Sequence, residues 1–378
     1  MSTIAVFHPS SDLYGSDRIL VNALNSIPKE VNKQVYLLSA GPLVKHLYNN
    51  VENINVEVSP QMPVIYRKIF TLKGIITFLI TWFKFISFVK KENKFYEFDS
   101  VYVNTLSNTF ILPILKFLRI RCFLHVHEIV VNPRLIGKLT AFLAKTFADQ
   151  IICVSKAVAN NLINYSKKAK YKIVVIHNGI NSIETKEKED NENMSFYLFG
   201  RIMPQKGQWL VIDALSKLPK EKLKYTSFTF MGGVLYDQTK VLDELKLKIH
   251  NAGLEDFIKF EEFATDISEA MSKADVCLIP STILDSFPTT VLEAMSASKT
   301  VIATNQGGAK EAILDQVTGL LFKHNNADDL ARKIEKLIDN STLVKQMGNS
   351  AKSHFRTNFT FDIFKANWAS FMAKNQHI

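Results

Sequence analysis

Short apolar runs alternate along the whole chain with longer segments of helical period. Strand-like runs lie at 4–7, 34–39, 100–104, 122–125, 150–154 and 173–176. A second series lies at 195–199, 227–231, 258–260, 276–279, 300–303 and 319–322. This alternation of β and α predicts parallel sheets covered by helices on both faces. The expected fold class is α/β, with two doubly wound, Rossmann-like domains. Between the two series, residues 184–193 read Glu-Thr-Lys-Glu-Lys-Glu-Asp-Asn-Glu-Asn, with no apolar side chain. A linker is expected there, over 183–194, giving an N-terminal domain at 1–182 and a second at 195–360. Residues 340–358 and 361–374 have helical period, and the final stretch, 361–378, is expected to pack back on the first domain.

The 378 residues leave room for two domains, and 47% apolar with 22% charged side chains excludes a disordered or low-complexity chain. The net charge of +10 is unevenly placed. Residues 1–182 hold 22 basic and 10 acidic side chains, whereas residues 183–378 hold 24 and 26. The two halves are therefore expected to meet different partners. Cys122, Cys153 and Cys277 each lie in an apolar run and form no Cys-x-x-Cys pair, which predicts reduced, buried thiols of a cytosolic protein. The opening apolar run has no basic start and reads as a first strand, not a signal peptide.

Open α/β sheets bind ligands at the carboxyl ends of their strands, where helix N-termini favour anions. Two strand-to-helix junctions in the second domain carry chemistry. The first, Phe199-Gly200-Arg201-Ile202-Met203-Pro204-Gln205-Lys206-Gly207, frames two cations with glycines, an arrangement suited to a diphosphate. The second runs from Ile279 to Met295 and holds Asp285 in the loop and Glu293 in the following helix. Glu293 stands among apolar neighbours, so its carboxylate should accept hydrogen bonds, and ribose hydroxyls are suitable donors. Pro288 and Thr289 are expected to start that helix, with its open N–H groups aimed at an anion.

With both junctions in view, the second domain resembles that of the retaining, nucleotide-sugar-dependent glycosyltransferases of family 4, whose GT-B fold sets two domains across a central cleft. The resemblance rests on Gly200, Arg201, Lys206 and Gly207, then Asp285 and Glu293, then the run from Thr304 to Gly308 with Glu311, Thr318 and Gly319. The first domain resembles the family more loosely, at Gly15-Ser16-Asp17-Arg18, His127-Glu128 and Asn178-Gly179. The resemblance implies that Arg201 and Lys206 hold the donor pyrophosphate in place of a metal, and that Glu293 binds the ribose. Asp285 would contact the transferred sugar. Backbone of Ser286, Phe287, Pro288, Thr289 and Thr290 would line sugar and phosphate, with Gly200 beside them. His127 would face the sugar from the other domain, and Gly15 would permit close approach. Domain closure about the linker would complete the site. Two departures stand out: Asp285 where the family usually has Glu, and Pro288 where Gly is common, with one N–H fewer. No cofactor and no metal are expected. His125 and His127 share a strand face, but no third ligand stands at a zinc-like spacing. Asp17 and Arg18 read as ordinary first-turn helix charges.

Residues 66–98 contain ten aromatics with Lys and Arg interleaved. On a helix, Lys73, Lys84 and Lys91 fall within about 20° of one another, while most other positions are apolar. Arg67, Lys68, Lys73, Trp82, Lys84 and Lys91 are read as contacts to an anionic membrane surface. A buried helix with ordinary surface lysines is the competing reading. The apolar stretch at 75–89, 15 residues broken by Lys84, is shorter than the roughly 20 a bilayer crossing needs. Nucleic acid is not expected, since bulky aliphatic and Phe residues separate the cations and no nucleic-acid motif is present. The function expected is sugar transfer from a nucleotide sugar to a lipid-linked glycan in cell-surface polysaccharide or lipopolysaccharide biosynthesis. Its expected place is cytoplasmic, peripheral on the inner face of the plasma membrane. A sugar-nucleotide epimerase on the same scaffold and a non-catalytic nucleotide-sugar-binding membrane protein are the alternatives.

Overall fold

The structure, a computed structural model, describes residues 2–59, 62–65, 71–186, 193–234, 239–264 and 266–374. It divides into two compact units, Met1–Gly179 with Phe361–Ile378, and Ile180–Thr360.

In the first unit, β1 (Thr3–His8), β2 (Asn32–Leu37), β3 (Ile54–Val58), β4 (Ser100–Asn104), β5 (Cys122–Val126), β6 (Gln150–Cys153) and β7 (Ile173–Val175) form one parallel sheet. Its order is β3-β2-β1-β4-β5-β6-β7. β1, β4 and β5 are buried along their whole length, as strands covered on both faces must be. β3 has no counterpart among the sequence-predicted strands. Its Ile-Asn-Val-Glu-Val pattern sits at the sheet edge with no residue fully buried, so it lacks the apolar run that marks an inner strand.

In the second unit, β8 (Met194–Phe199), β9 (Thr226–Met231), β10 (Ile258–Glu261), β11 (Val276–Ile279), β12 (Thr300–Thr304) and β13 (Gly319–Phe322) form a second parallel sheet. Its order is β10-β9-β8-β11-β12-β13. Its core is packed around Phe196, Phe228, Phe230, Ile302 and Phe322. In each sheet the strand order reverses beside the first strand, between β1 and β4 and between β8 and β11. Crevices at the carboxyl ends of strands open at such points.

The chain leaves the first unit after Gly179 and returns to it at Phe361, so the first crossing comes ahead of the polar run where the linker is expected. Ile180 donates to the Phe359 carbonyl at 3.1 Å, which ties the two passing segments together. The start of the polar run is then fastened to the second unit: Ile183 N–H donates to Ser296 Oγ and Lys186 N–H to Ser272 Oγ, each at 3.1 Å. Its polarity therefore marks a surface segment, at least as far as Lys186. The remainder of the expected linker, 187–192, lies outside the described residues.

All three cysteines are buried, and burial pushes the Cys122 and Cys277 thiols up to about 12.

The Leu72–Tyr96 helix is the largest surprise. It starts at Thr71, whose hydroxyl accepts from Gly74 N–H at 3.0 Å. Only Phe85, Val89 and Glu92 are buried. Phe85 and Phe88 pack on Phe7 and Tyr36, and the Tyr36 hydroxyl donates to Glu92 at 2.7 Å. Ahead of that anchor, Leu72, Ile75, Ile76, Leu79, Ile80 and Phe83 are 45–78% exposed. The buried-helix reading does not hold for this part. The helix is also longer than its apolar stretch: 25 residues, long and apolar enough by length and composition to cross a membrane. Lys73, Lys84 and Lys91 are exposed. Trp82, expected on the membrane face, is partly buried, and its indole N–H donates to the Phe110 carbonyl at 2.9 Å. Arg67 and Lys68 lie outside the described residues.

The final helix, Phe361–Lys374, belongs to the first unit and packs against the Gly15–Asn25 helix. Trp368 is fully buried with its ring against Tyr102, Phe123 and His125. Replacing Trp368 by Ala should lower stability by about 3–5 kcal/mol, the usual cost of emptying an aromatic site. Urea unfolding followed by circular dichroism checks it, and a loss below 1 kcal/mol would contradict this packing.

Candidate active site

Three loops of the second unit meet at the carboxyl ends of β8, β11 and β12. The loop after β8 turns through Gly207, whose φ of +87° lies in the left-handed region, and a Cβ there would strike the Pro280 carbonyl. Thr282 N–H donates to the Gln205 carbonyl at 3.0 Å and the Thr282 hydroxyl to the Pro204 carbonyl at 3.2 Å. The loop after β12 is bound still more closely. Gly308 N–H donates to the Asp285 carbonyl at 2.8 Å, and a Cβ on Gly308 would run into the Ser286 carbonyl. Gln306 bridges the Ser281 and Ile283 carbonyls through its amide nitrogen at 3.0 and 2.9 Å.

This frame brings two predicted residues together. Lys206 Nζ stands 3.4 Å from both carboxylate oxygens of Asp285, and the Ser281 hydroxyl also donates to Asp285. Asp285 thus spends its shorter reach on Lys206 and Ser281. Arg201 and Gly200 lie at the end of β8, and the Arg201 carbonyl accepts from Gln208 at 2.9 Å. Ser286 and Phe287 follow Asp285, and Phe287 is buried against Phe359. Pro288 caps the Thr289–Ser296 helix rather than beginning it, so Thr289 and Thr290 carry the N–H groups that helix bonding leaves open. Glu293 is buried in that helix. A groove of about 960 Å³ lies apart from these loops, lined in part by Ser195, Tyr197, Ser227, Thr229, Lys259 and Glu261 from alternate positions of β8, β9 and β10.

In the first unit, His127 follows β5 and is almost fully buried, its Nε2 2.9 Å from Asn104 Oδ1. Burial, reinforced by the neighbouring His8, holds its imidazolium pKa down at about 3, so the ring is neutral at physiological pH. Its backbone N–H and that of Leu106 both donate to Glu128 at 3.1 Å, fixing the strand ends. His125 is fully buried with Nδ1 2.7 Å from the Tyr102 hydroxyl. Among the described residues, no three His, Cys, Asp or Glu side chains converge as metal ligands do. Gly15 opens the Gly15–Asn25 helix behind Tyr14.

Asp17 is more than a first-turn charge. It is 1% exposed and accepts from His8 Nε2 at 2.8 Å and from Tyr14 N–H at 2.9 Å. Burial pushes its carboxyl up, but the His8 ring and the Tyr14 amide outweigh that and hold it below the usual range. Sequence reading missed His8 and Asn104 as well. The available signal was position, since His8 and Asn104 end adjacent strands and His127 follows the next.

Comparison with known proteins gives the class. Residues 180–354 match the family model of group 1 glycosyl transferases, and residues 44–183 match that of glycosyltransferase family 4. The chain is 32% identical over 220 residues to an uncharacterised glycosyltransferase of Methanocaldococcus jannaschii, across 58% of each chain. It is 30% identical over 164 residues to the lipopolysaccharide core biosynthesis mannosyltransferase LpcC of Rhizobium leguminosarum, across 43% of this chain and 46% of that one. These matches span about half the length of the relatives. The solved structure of Anabaena HepE in complex with UDP superposes with a TM-score of 0.81 at 21% identity, covering 99% of this chain and 100% of that one. Two parallel-sheet units and these neighbours define the GT-B fold. Within that fold, the two family matches together run from residue 44 to residue 354, and the chain is similar to the family-4-type glycosyltransferases.

Gly308→Ala should cost about 1–3 kcal/mol, because the added methyl has only backbone to displace. Lys310→Ala, on the exposed start of the next helix, should stay within about 0.5 kcal/mol. Paired denaturant curves decide this, and a neutral Gly308→Ala would mean that the loops do not touch.

Proposed function

We propose that the chain moves a sugar from a nucleoside diphosphate to a hydroxyl of a lipid-linked glycan, with retention at the anomeric carbon and without a metal. The observation that carries this reading is the set of three interlocked loops, with Lys206 held beside Asp285 and a helix start at Thr289. Arg201, Lys206 and the open amides of Thr289 and Thr290 would meet the diphosphate. Their positive charge would grow in value as the sugar–phosphate bond breaks and negative charge collects on the leaving oxygen. Asp285, Ser286 and Phe287 would line the sugar, with Pro288 shaping the turn, and Glu293 would take the ribose. The acceptor oxygen would attack from the leaving-group face, with no covalent glycosyl intermediate. Its proton would pass to the departing phosphate oxygen, so the bond formed and the bond broken balance on one face. UDP in the Anabaena structure and the lipopolysaccharide role of the Rhizobium enzyme support donor class and acceptor class respectively.

The Leu72–Tyr96 helix would lie in the interface of an anionic membrane, with the protein peripheral on the inner face of the plasma membrane. Its exposed apolar side chains and its lysines support contact with such a surface. A crossing would require the buried Phe85, Val89 and Glu92 to leave the first unit, which favours a helix lying flat.

Arg201→Ala and Lys206→Ala should each lower kcat/KM by about 10²–10³, the usual cost of removing a group that stabilises transition-state charge, with circular dichroism unchanged. Calorimetry with UDP and GDP tests the site directly, and no heat with either would defeat the reading. Activity should survive EDTA. Reversing Lys73, Lys84 and Lys91 to Glu should weaken binding to vesicles containing phosphatidylserine by more than the roughly 3 kcal/mol that three cations contribute. Unchanged sedimentation with vesicles would remove the membrane from the proposal.

A further inference from the structure

Four polar side chains form a continuous row across the carboxyl ends of β1, β4 and β5. Asp17 accepts from His8 Nε2 at 2.8 Å, His8 Nδ1 stands 2.9 Å from Asn104 Nδ2, and Asn104 Oδ1 stands 2.9 Å from His127 Nε2. His8 and Asn104 are completely buried and Asp17 is 1% exposed; His127, at 9%, is the end of the row nearest solvent. Among the described residues His127 Nδ1 has no hydrogen-bond partner.

We propose that Asp17, His8 and Asn104 are a positioning relay that holds His127 as its Nε2–H tautomer, leaving Nδ1 as a bare acceptor for a sugar hydroxyl. The sugar end of this inference rests on the reading of the chain as a nucleotide-sugar transferase. The tautomer does not.

The direction of the relay follows from which groups can donate. An ionised Asp17 only accepts, so His8 carries its hydrogen on Nε2. With Asn104 turned so that its amide nitrogen faces His8, that nitrogen donates to the lone pair at His8 Nδ1. Asn104 Oδ1 is left to accept from His127 Nε2–H and from the Tyr102 hydroxyl at 3.2 Å. The opposite direction has a specific defect. With Asn104 turned over, its nitrogen would donate to Tyr102, and Tyr102 would have to donate to His125 Nδ1. His125 would then carry its hydrogen on Nε2, a buried atom with no partner among the described residues. In the direction proposed, that same atom is a lone pair. A buried N–H without an acceptor is rarer and costlier than an unused lone pair. The unpartnered nitrogen of His125 therefore sets the orientation of Asn104 and, through it, the tautomer of His127. The low pKa of His127 keeps the ring neutral, so one of its two nitrogens is bare, and the hydrogen bonds decide which.

Nitrogen-15 spectra of the full chain, labelled at histidine and free of ligand at pH 7, read the tautomer directly. His127 should show a protonated Nε2 and an unprotonated Nδ1. A protonated Nδ1, alone or with Nε2, overturns the relay. Asn104→Leu should release the ring into a mixture of tautomers, whereas an unchanged ring overturns the relay too. Should Asn104→Leu not fold, Asn104→Asp carries the test. Its carboxylate accepts on both sides, so His127 keeps Nε2–H while His8 becomes protonated at both nitrogens; a neutral His8 there contradicts the proposal. Adding UDP-glucose or GDP-mannose should move the His127 Nδ1 resonance where UDP or GDP alone does not. If calorimetry detects the nucleotide sugar while Nδ1 stays still, the sugar contact is wrong and the relay stands. If no nucleotide binds at all, the transferase reading fails while the tautomer measurement remains valid.

Discussion

Backbone lying directly on backbone is what gives the second unit its site. Gly307 and Gly308 rest against the carbonyls of Asp285 and Ser286 where no side chain could be admitted, and Gly308 N–H closes the contact at 2.8 Å. The loop after β11 is thereby fixed from one side, while Thr282 fastens it to the loop after β8 on the other. Against this frame the Lys206–Asp285 pair is weak. Both side chains are partly exposed and the contact is 3.4 Å, so it contributes at most about 1 kcal/mol. The shape of the site is therefore held by uncharged contacts, and its lysine can exchange partners at small cost. A diphosphate, carrying more negative charge than one carboxylate, would win that exchange.

The sheets were legible because a parallel strand buried on both faces writes a mostly apolar run, and β4, β5 and β11 fall where those runs predict. β3, an edge strand in which Asn55 and Glu57 interrupt the apolar residues, writes no such run, which is why it went unread. Composition could not show that Ile183 and Lys186, at the start of the polar run, are hydrogen-bonded to the second unit. Composition reports exposure to water, and residues bound on the surface of a domain look like residues between domains. The charged loops were legible from residue type and spacing, but the pairing of Lys206 with Asp285 was not, because it depends on where two separate loops touch. Asp17 was undervalued because a helix-start acid is common on surfaces; only its burial beside His8 separates it from those.

The Leu72–Tyr96 helix shows the limit of reading burial from hydropathy. Its apolar arc was broader than one core contact needs, and the structure divides it lengthwise. The C-terminal part is anchored by Phe85, Val89 and the Tyr36–Glu92 hydrogen bond, while the preceding turns keep six large apolar side chains largely in water. Burying a Leu, Ile or Phe stabilises by about 1.5–3 kcal/mol, so leaving this stripe uncovered forgoes several kcal/mol. The lysines on the same helix make an anionic apolar interface a better match for it than a purely apolar protein groove.

The two units arrange their polar groups on opposite principles. In the second, charges stand at loop ends with partners that can be exchanged. In the first, a neutral histidine stands at the end of a buried row in which His8 and Asn104 each have partners on both sides. Such a row adds little net affinity, since each hydrogen bond contributes only about 1 kcal/mol over its hydrated alternative. Its value lies in discrimination. A fixed lone pair in a nearly buried position favours a ligand that brings a hydroxyl and is left unsatisfied by one that does not, a difference far larger than a missing methylene produces.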